Sequence, residues 1–304
     1  MSNSTRWFLI IAGSLIVIGI GAILFFYIML KNISDYDADV VIGSGDRIAI
    51  VELKGVILSS EDIVRQLKKY NEDRSIKGIL FRIDSPGGGV VASQEIYEEV
   101  KKIRDQKKSI VVSMGSLAAS GGYYVACPAN KIVANPGTLT GSIGVISQFM
   151  RYDSLLGKIG VEVNTVKSGK FKDAGNPFRA MTSDDKQYFQ KLMDDVHRQF
   201  ITAVETERKL NHDSVAAFAD GRVFTGEQAL KMGLVDTIGT YEDAVMITAR
   251  LAGIKGTPSI VKEKKRTLTF FDMVFGKTKL ADLLHLNEEL LNQPILQYKM
   301  VQGF

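Results

Sequence analysis

The sequence predicts a layered α/β domain with a largely parallel sheet, carried behind an N-terminal transmembrane helix. Three observations predict it. Candidate strands and amphipathic helices alternate from Arg47 onward, the pattern of a parallel sheet with helical crossovers. Glycine-rich loops fall just beyond the carboxyl ends of predicted strands, where open α/β sheets place their sites. Finally, no charged residue occurs from Trp7 to Leu30. As a helix that run is about 36 Å long, enough to cross a hydrocarbon core of roughly 30 Å.

The apolar run exceeds the roughly 7–15 residues of a signal-peptide core, and it ends Phe-Phe-Tyr-Ile-Met-Leu rather than in a small-residue cleavage site. A membrane span is therefore expected. Arg6 precedes it, whereas Lys31 is soon followed by Asp35, Asp37 and Asp39, so the slight basic bias places the N-terminus inside. Residues 1–6 form a short tail, 7–30 the span and 31–46 a polar stalk. Residues 47–255 form the domain, and 256–304 a C-terminal tail without an assigned role.

Within the domain, Arg47–Leu53, Lys77–Ile83 and Ser109–Met114 read as buried strands. Between the first two, Ser60 is the expected N-cap of a helix with Glu61 and Asp62 in its first turn, and Ile63, Val64, Leu67 and Tyr70 recur at helical spacing. Ile96, Tyr97, Val100 and Ile103 mark the next helix. Thr182 or Ser183 caps a long amphipathic one with Phe189, Leu192, Val196, Phe200 and Val204 on its apolar stripe, read as core or subunit interface. A shorter helix, Glu227–Met232, stops at Gly233, as a C-terminal glycine favours. In the tail, Lys262–Arg266 reads as a solvated charge run, and Leu280–Leu291 as an amphipathic stretch before Pro294.

Composition narrows the function. With 45% hydrophobic and 24% charged residues in 304, the chain is globular and long enough for a substantial core. A formal charge of +4, without a basic-aromatic stripe, argues against a nucleic-acid partner. The single cysteine, Cys127, excludes an internal disulfide and a cysteine-rich zinc site, and its apolar setting reads as core.

The chemistry centres on Gly115-Ser116-Leu117-Ala118-Ala119-Ser120-Gly121-Gly122-Tyr123-Tyr124. Small neighbours leave Ser120 room to attack a carbonyl and leave backbone N–H groups free for an oxyanion. Ser116 lacks the following Gly-Gly. A serine nucleophile needs a base. His197, His212 and His285 all lie outside glycine-rich loops, although sequence distance does not bar an approach in space. Lys170 and Lys172, in Ser168-Gly169-Lys170-Phe171-Lys172-Asp173-Ala174-Gly175, offer the alternative. A lysine acts as a base only when burial or a nearby cation lowers its pKa by roughly three units from about 10.4.

Five segments, taken in order, resemble the signal peptide peptidase A family: Asp84-Ser85-Pro86-Gly87-Gly88-Gly89, Ala118-Ala119-Ser120-Gly121-Gly122-Tyr123-Tyr124, Thr140-Gly141-Ser142-Ile143-Gly144-Val145, Phe171-Lys172-Asp173-Ala174 and Gly221-Arg222-Val223-Phe224-Thr225-Gly226. The resemblance covers about residues 47–254. It implies a fold similar to the Clp protease and crotonase superfamily and a serine-lysine dyad, with Ser120 as nucleophile, Lys172 as base and Ser142 hydrogen-bonded to the lysine. The N–H groups of Gly88 and Gly121 would form the oxyanion hole. Asp84 replaces a frequent asparagine, so pH dependence is expected to change, and Leu117 replaces a frequent methionine. No cofactor or metal is expected.

The resemblance further implies cleavage of remnant signal peptides and other short apolar peptides at the outer face of the cytoplasmic membrane. Longer family members carry two domains in tandem, with lysine and serine on different domains. A chain holding one domain is thus expected to form a homo-oligomeric ring with the dyad shared between neighbours. The alternatives are a crotonase-type acyl-CoA enzyme, which needs no serine-lysine pair, and an inactive membrane scaffold, which needs neither residue.

Overall fold

A computed structural model describes residues 3–34, 39–263 and 296–300. Its elements, in chain order, are α1 (Asn3–Ser34), β1 (Asp39–Ile42), β2 (Arg47–Lys54), α2 (Glu61–Glu72), β3 (Ile76–Ser85), β4 (Gly87–Gly89), α3 (Val90–Asp105), β5 (Ser109–Ala119) and α4 (Gly121–Ala126). There follow β6 (Lys131–Ala134), β7 (Leu139–Gly141), α5 (Asp153–Lys158), α6 (Ser183–Arg208), α7 (His212–Phe218), β8 (Val223–Thr225), α8 (Gly226–Lys231), β9 (Thr237–Ile238), α9 (Tyr241–Leu251), β10 (Ser259–Glu263) and β11 (Gln297–Lys299).

The main sheet runs β1-β10-β2-β3-β5-β6-β9, with β7 pairing β5 and β8 pairing β7. From β10 to β9 every pair on this path is parallel, as helical crossovers require. Side-chain alternation divides the sheet into two buried faces. Ala49, Val51, Ile79, Phe81 and Val112 join the cluster under α2 and α3, whereas Ile48, Ile50, Leu80 and Val111 pack with Ala244, Val245 and Ala249 of α9. Burial on both faces explains why these strands read as continuous apolar runs.

The sheet extends past the expected domain at both ends. β1, inside the presumed stalk, pairs antiparallel with β10, and β10 lies parallel to β2. Lys262, assigned to a solvated run, is bound instead to Glu52 at 2.7 Å. Ser60 precedes α2 as expected, but its own backbone is helical and its side chain does not cap. The hydroxyl donates to Glu95 of α3 instead. Thr182 does cap α6, through a reciprocal pair with Asp185, and α8 ends at Lys231, with Met232 as its C-cap before Gly233. On α6, Val196, Phe200 and Val204 are buried while Leu192 is exposed. Cys127 is buried, which pushes its thiol up to about 12, in keeping with a core role. One helix among the described residues is long and apolar enough to cross a membrane, over Thr5–Tyr27, with mean hydropathy 2.8. The expectations for Asp35, Asp37, Lys264–Arg266, Leu280–Leu291, His285 and Pro294 fall outside the described residues.

Candidate active site

Strand β5 runs straight into Ser120, and α4 begins one residue later. So sharp a strand-to-helix turn forces Ser120 to φ +53°, ψ −118°, a region hostile to residues with a Cβ and associated with functional strain. Tyr124 N–H closes the turn on the Ser120 carbonyl at 2.8 Å. The residue is 1% exposed. Its side chain makes no hydrogen bond among the described residues.

The glycines around it are required by contact. A Cβ on Gly121 would lie 2.7 Å from Ser93 Oγ and 3.1 Å from Gly87 Cα. On Gly88 it would lie 2.2 Å from the Ile57 carbonyl oxygen, in backbone that Ile57 N–H to Gly87 O and Gly89 N–H to Ile57 O hold fixed at 2.8 and 2.7 Å. The Pro86-Gly87 turn therefore brings β4 against the Ser120 turn, and Gly87 takes φ +95°, open chiefly to glycine. Gly87 thus packs against Gly121, the residue after Ser120, where a Cβ on Gly87 would fall 2.6 Å from Gly121 N.

On the opposite side, β7 pairs with the end of β5, Ala119 facing Gly141. Ser120 N–H donates to Gly141 O at 2.7 Å, which brings Ser142 next to Ser120. Ser142 is also left-handed, at φ +51°, and buried. Asp84 accepts from Leu117 N–H at 3.1 Å; the carboxylate thus ties β3 to β5, a structural use that the sequence did not show. Ser116 is exposed on β5.

Lys172 is not brought to Ser120. It lies exposed in a turn that Lys172 N–H closes on Gly169 O at 3.1 Å, and its amine makes no hydrogen bond or ion pair among the described residues. Lys170, by contrast, pairs with Asp184 at 2.6 Å. The turn is tied to the start of α6 through Arg179, which bridges Asp173 at 2.8 Å and Asp185 at 2.6 Å. Hydrogen bonds from that guanidinium hold both carboxyls well below the usual carboxylate range.

Sequence reasoning left one residue out of the site. His197, inside α6, lines a cleft of 770 Å³ together with Ser142, Gly144, Asp220 and Arg222. Its Nε2 is buried without a partner. Only the sheet-helix packing puts it there; no local signal announces it. His212 pairs instead with Glu205 at 2.5 Å on the surface. Among the described residues, no group of three or more His, Cys, Asp or Glu side chains gathers as metal ligands.

Comparison with known proteins accords with this architecture. The profile of peptidase family S49 matches residues 102–255, and that of the Clp protease matches residues 47–138. A Synechocystis protein named as a protease is 44% identical over 209 residues, 68% of this chain and 75% of its own. An Enterococcus faecium protein named as a signal peptide peptidase is 38% identical over 68% of this chain and 57% of its own length. Protease 4 of Salmonella typhi is 36% identical over 73% of this chain, which spans only 37% of that longer protein. The chain belongs to peptidase family S49 and is a serine peptidase of the signal peptide peptidase type.

Proposed function

We propose that the chain is a membrane-anchored endopeptidase that cleaves remnant signal peptides and other short apolar peptides, with Ser120 as nucleophile. The observation that carries this reading is the strained Ser120 turn, with Gly87 packed against Gly121 after it and Gly141, the residue before Ser142, accepting from Ser120 N–H. In this reading Ser120 Oγ attacks the substrate carbonyl, and the N–H groups of Gly88 and Gly121 receive the oxyanion. Lys172 takes the serine proton, and Ser142 orients the amine. The helix over Thr5–Tyr27 anchors the protein with its N-terminus cytoplasmic and the domain outside, which concentrates the enzyme where apolar peptides remain.

A base must be partly desolvated to act, yet Lys172 is exposed in the protomer. The segment carrying it also exposes Leu155, Ile159, Val161, Val163, Val166 and Phe171. Exposed apolar side chains gathered in one segment are characteristic of protein contacts. Both features support a homo-oligomeric ring in which Lys172 of one protomer reaches Ser120 of its neighbour.

His197 in the cleft favours one rival, a Ser-His site. Peptide hydrolysis by Ser120→Ala, Lys172→Ala and His197→Ala proteins separates the two. Ser120→Ala and Lys172→Ala are expected to lose activity by 10³-fold or more, on the order found for other covalent sites, and His197→Ala to keep most of it. Loss in His197→Ala with Lys172→Ala active would move the base to histidine.

A further inference from the structure

The groove between α2 and α3, of about 620 Å³, takes no part in the site at Ser120. Its walls carry four carboxylates, Glu61 on α2 and Glu95, Glu98 and Glu99 on α3, together with the apolar side chains of Val64 and Val91. Lys68 and Lys102 also line it, each one helical turn past Val64 and Glu98, toward the C-terminal ends of the helices. None of these charged groups is in an ion pair among the described residues. Carboxylates outnumber ammonium groups there, and they gather toward the helix starts.

Glu99 sets this groove apart from an ordinary acidic surface. It is only 6% exposed, and its Oε1 is buried without a hydrogen-bond partner. A buried carboxylate oxygen lacking a donor carries the full cost of its desolvation. A cationic side chain that reaches it supplies both the donor and the opposite charge. One turn earlier, Glu95 is already engaged by the Ser60 hydroxyl. Val91 is 65% exposed, an apolar surface along which the methylene stem of a lysine or arginine can lie.

Both walls of the groove are fastened to the strand of Gly88. Helix α3 starts at Val90, directly after β4. Helix α2 starts at Glu61, shortly after Ile57, whose backbone brackets Gly88 through Ile57 N–H to Gly87 O at 2.8 Å and Gly89 N–H to Ile57 O at 2.7 Å. The groove therefore opens next to the strand that would hold a substrate's reacting carbonyl.

Signal peptides join an apolar run to a positively charged segment ahead of it. The chain itself carries a formal charge of +4, so its overall field opposes such a segment and any attraction must be local. We propose that the α2–α3 groove is an accessory binding site for a lysine or arginine side chain preceding the apolar run of the substrate, with the cation on Glu99 and its stem across Val64 and Val91. The proposal rests on the reading of the chain as an enzyme that cleaves signal peptides. The site at Ser120 takes the apolar run and the groove takes the charged segment. Peptides carrying both are held at two points and are favoured over peptides that are only apolar.

The test compares two synthetic peptides with one shared apolar run, led by Lys-Lys in one and Ser-Ser in the other, on the full chain in non-ionic detergent. The wild type should favour the basic-led peptide by about tenfold or more in kcat/KM, the order lost when one partner of a buried charge pair is removed. The gain should lie in KM, because contacts in the groove are the same in ground and transition states. Glu99→Gln should bring the ratio toward one, as should Glu95→Gln combined with Glu98→Gln, two exposed positions that keep the test open if Glu99→Gln fails to fold. Fluorescence anisotropy of the labelled basic-led peptide on Ser120→Ala protein reads the groove without hydrolysis, and adding Glu99→Gln should weaken binding by a similar factor. Equal kcat/KM for the two peptides, or a preference that survives both sets of substitutions, overturns the proposal alone. Binding that depends on Glu99 without hydrolysis of any peptide by the wild type supports the groove and overturns the peptidase reading.

Discussion

The Ser120 N–H donates to the Gly141 carbonyl oxygen at 2.7 Å, and this single bond couples two left-handed serines, Ser120 at φ +53° and Ser142 at φ +51°. Strain at two adjoining residues persists only where the surroundings enforce it. Here β7 is held by its ladder to β5 and by Thr140 Oγ1, which donates to Ala118 O at 2.7 Å, and Ser142 N–H is anchored on Arg222 O at 2.8 Å. Two turns from distant parts of the chain are thereby fixed against each other.

Stored strain at Ser120 has a measurable consequence. Ser120→Ala and Ser120→Gly should both lack hydrolytic activity, but glycine adopts this backbone without a Cβ penalty. Ser120→Gly should therefore be the more stable of the two by about 1 kcal/mol, the lower end of the range for such outliers. Thermal or urea unfolding of the pair measures it. Equal or reversed stabilities would show that the turn is unstrained.

Arg179 gives a prediction about the turn that carries Lys172. Replacing it by methionine removes both ion pairs to Asp173 and Asp185 while keeping an unbranched apolar stem. Activity should fall at least tenfold with little change in the main unfolding transition, because the turn lies apart from the core clusters. Both carboxyls have depressed folded pKa values. Their contribution is therefore complete above the ordinary carboxylate value of about 3.9 and is lost as pH falls toward the folded values. Hydrogen exchange at residues 170–175, corrected for intrinsic rates, should stay slow from neutral pH down to about pH 4 and accelerate below it. In Arg179→Met it should be fast throughout. An onset near pH 6 in the wild type would assign control of the turn to another group.

What was legible in the sequence follows from the range of the forces involved. Strands β2, β3 and β5 and helices α2 and α3 bury whole faces, so their periodicity is written locally in residues such as Ile79, Phe81, Ile96 and Val100. Ser120 was singled out by its small neighbours, and Ser142, Gly88 and Gly121 by the family resemblance; close approach is what restricts the two glycines, where a Cβ would lie 2.2 Å from Ile57 O and 2.7 Å from Ser93 Oγ. By contrast, the Ser60 hydroxyl was misjudged because a residue 35 positions away, Glu95, competes successfully for it. The partners of β1, β10 and β11 lie far along the chain, so no local pattern could assign them. His197 reached the cleft for the same reason.

Membrane attachment and orientation are separable experimentally. The helix over Thr5–Tyr27 carries one basic residue, Arg6, at its start. The full chain should resist carbonate extraction, and residues 39–300 should be degraded by protease added to intact spheroplasts. Release by carbonate would refute the anchor. Protection until lysis would reverse the orientation.

The proposed sharing of the dyad between protomers makes the most specific demand. Within one protomer Ser120 is buried at a fixed turn, and no hydrogen bond joins it to the exposed Lys172. If neighbouring copies complete the site around a closed ring, Ser120→Ala and Lys172→Ala proteins complement each other. After subunit exchange, a Lys172→Ala protomer still carries Ser120 and can receive Lys172 from a Ser120→Ala neighbour. Random mixing at equal amounts leaves one interface in four with both residues intact, so about a quarter of wild-type activity should return, on the assumption of independent interfaces. Exchange is confirmed by energy transfer between labelled subunits. Exchange without recovered hydrolysis, or full activity in an isolated monomer, would place the dyad within a single protomer and require the turn at residues 170–175 to close on Ser120.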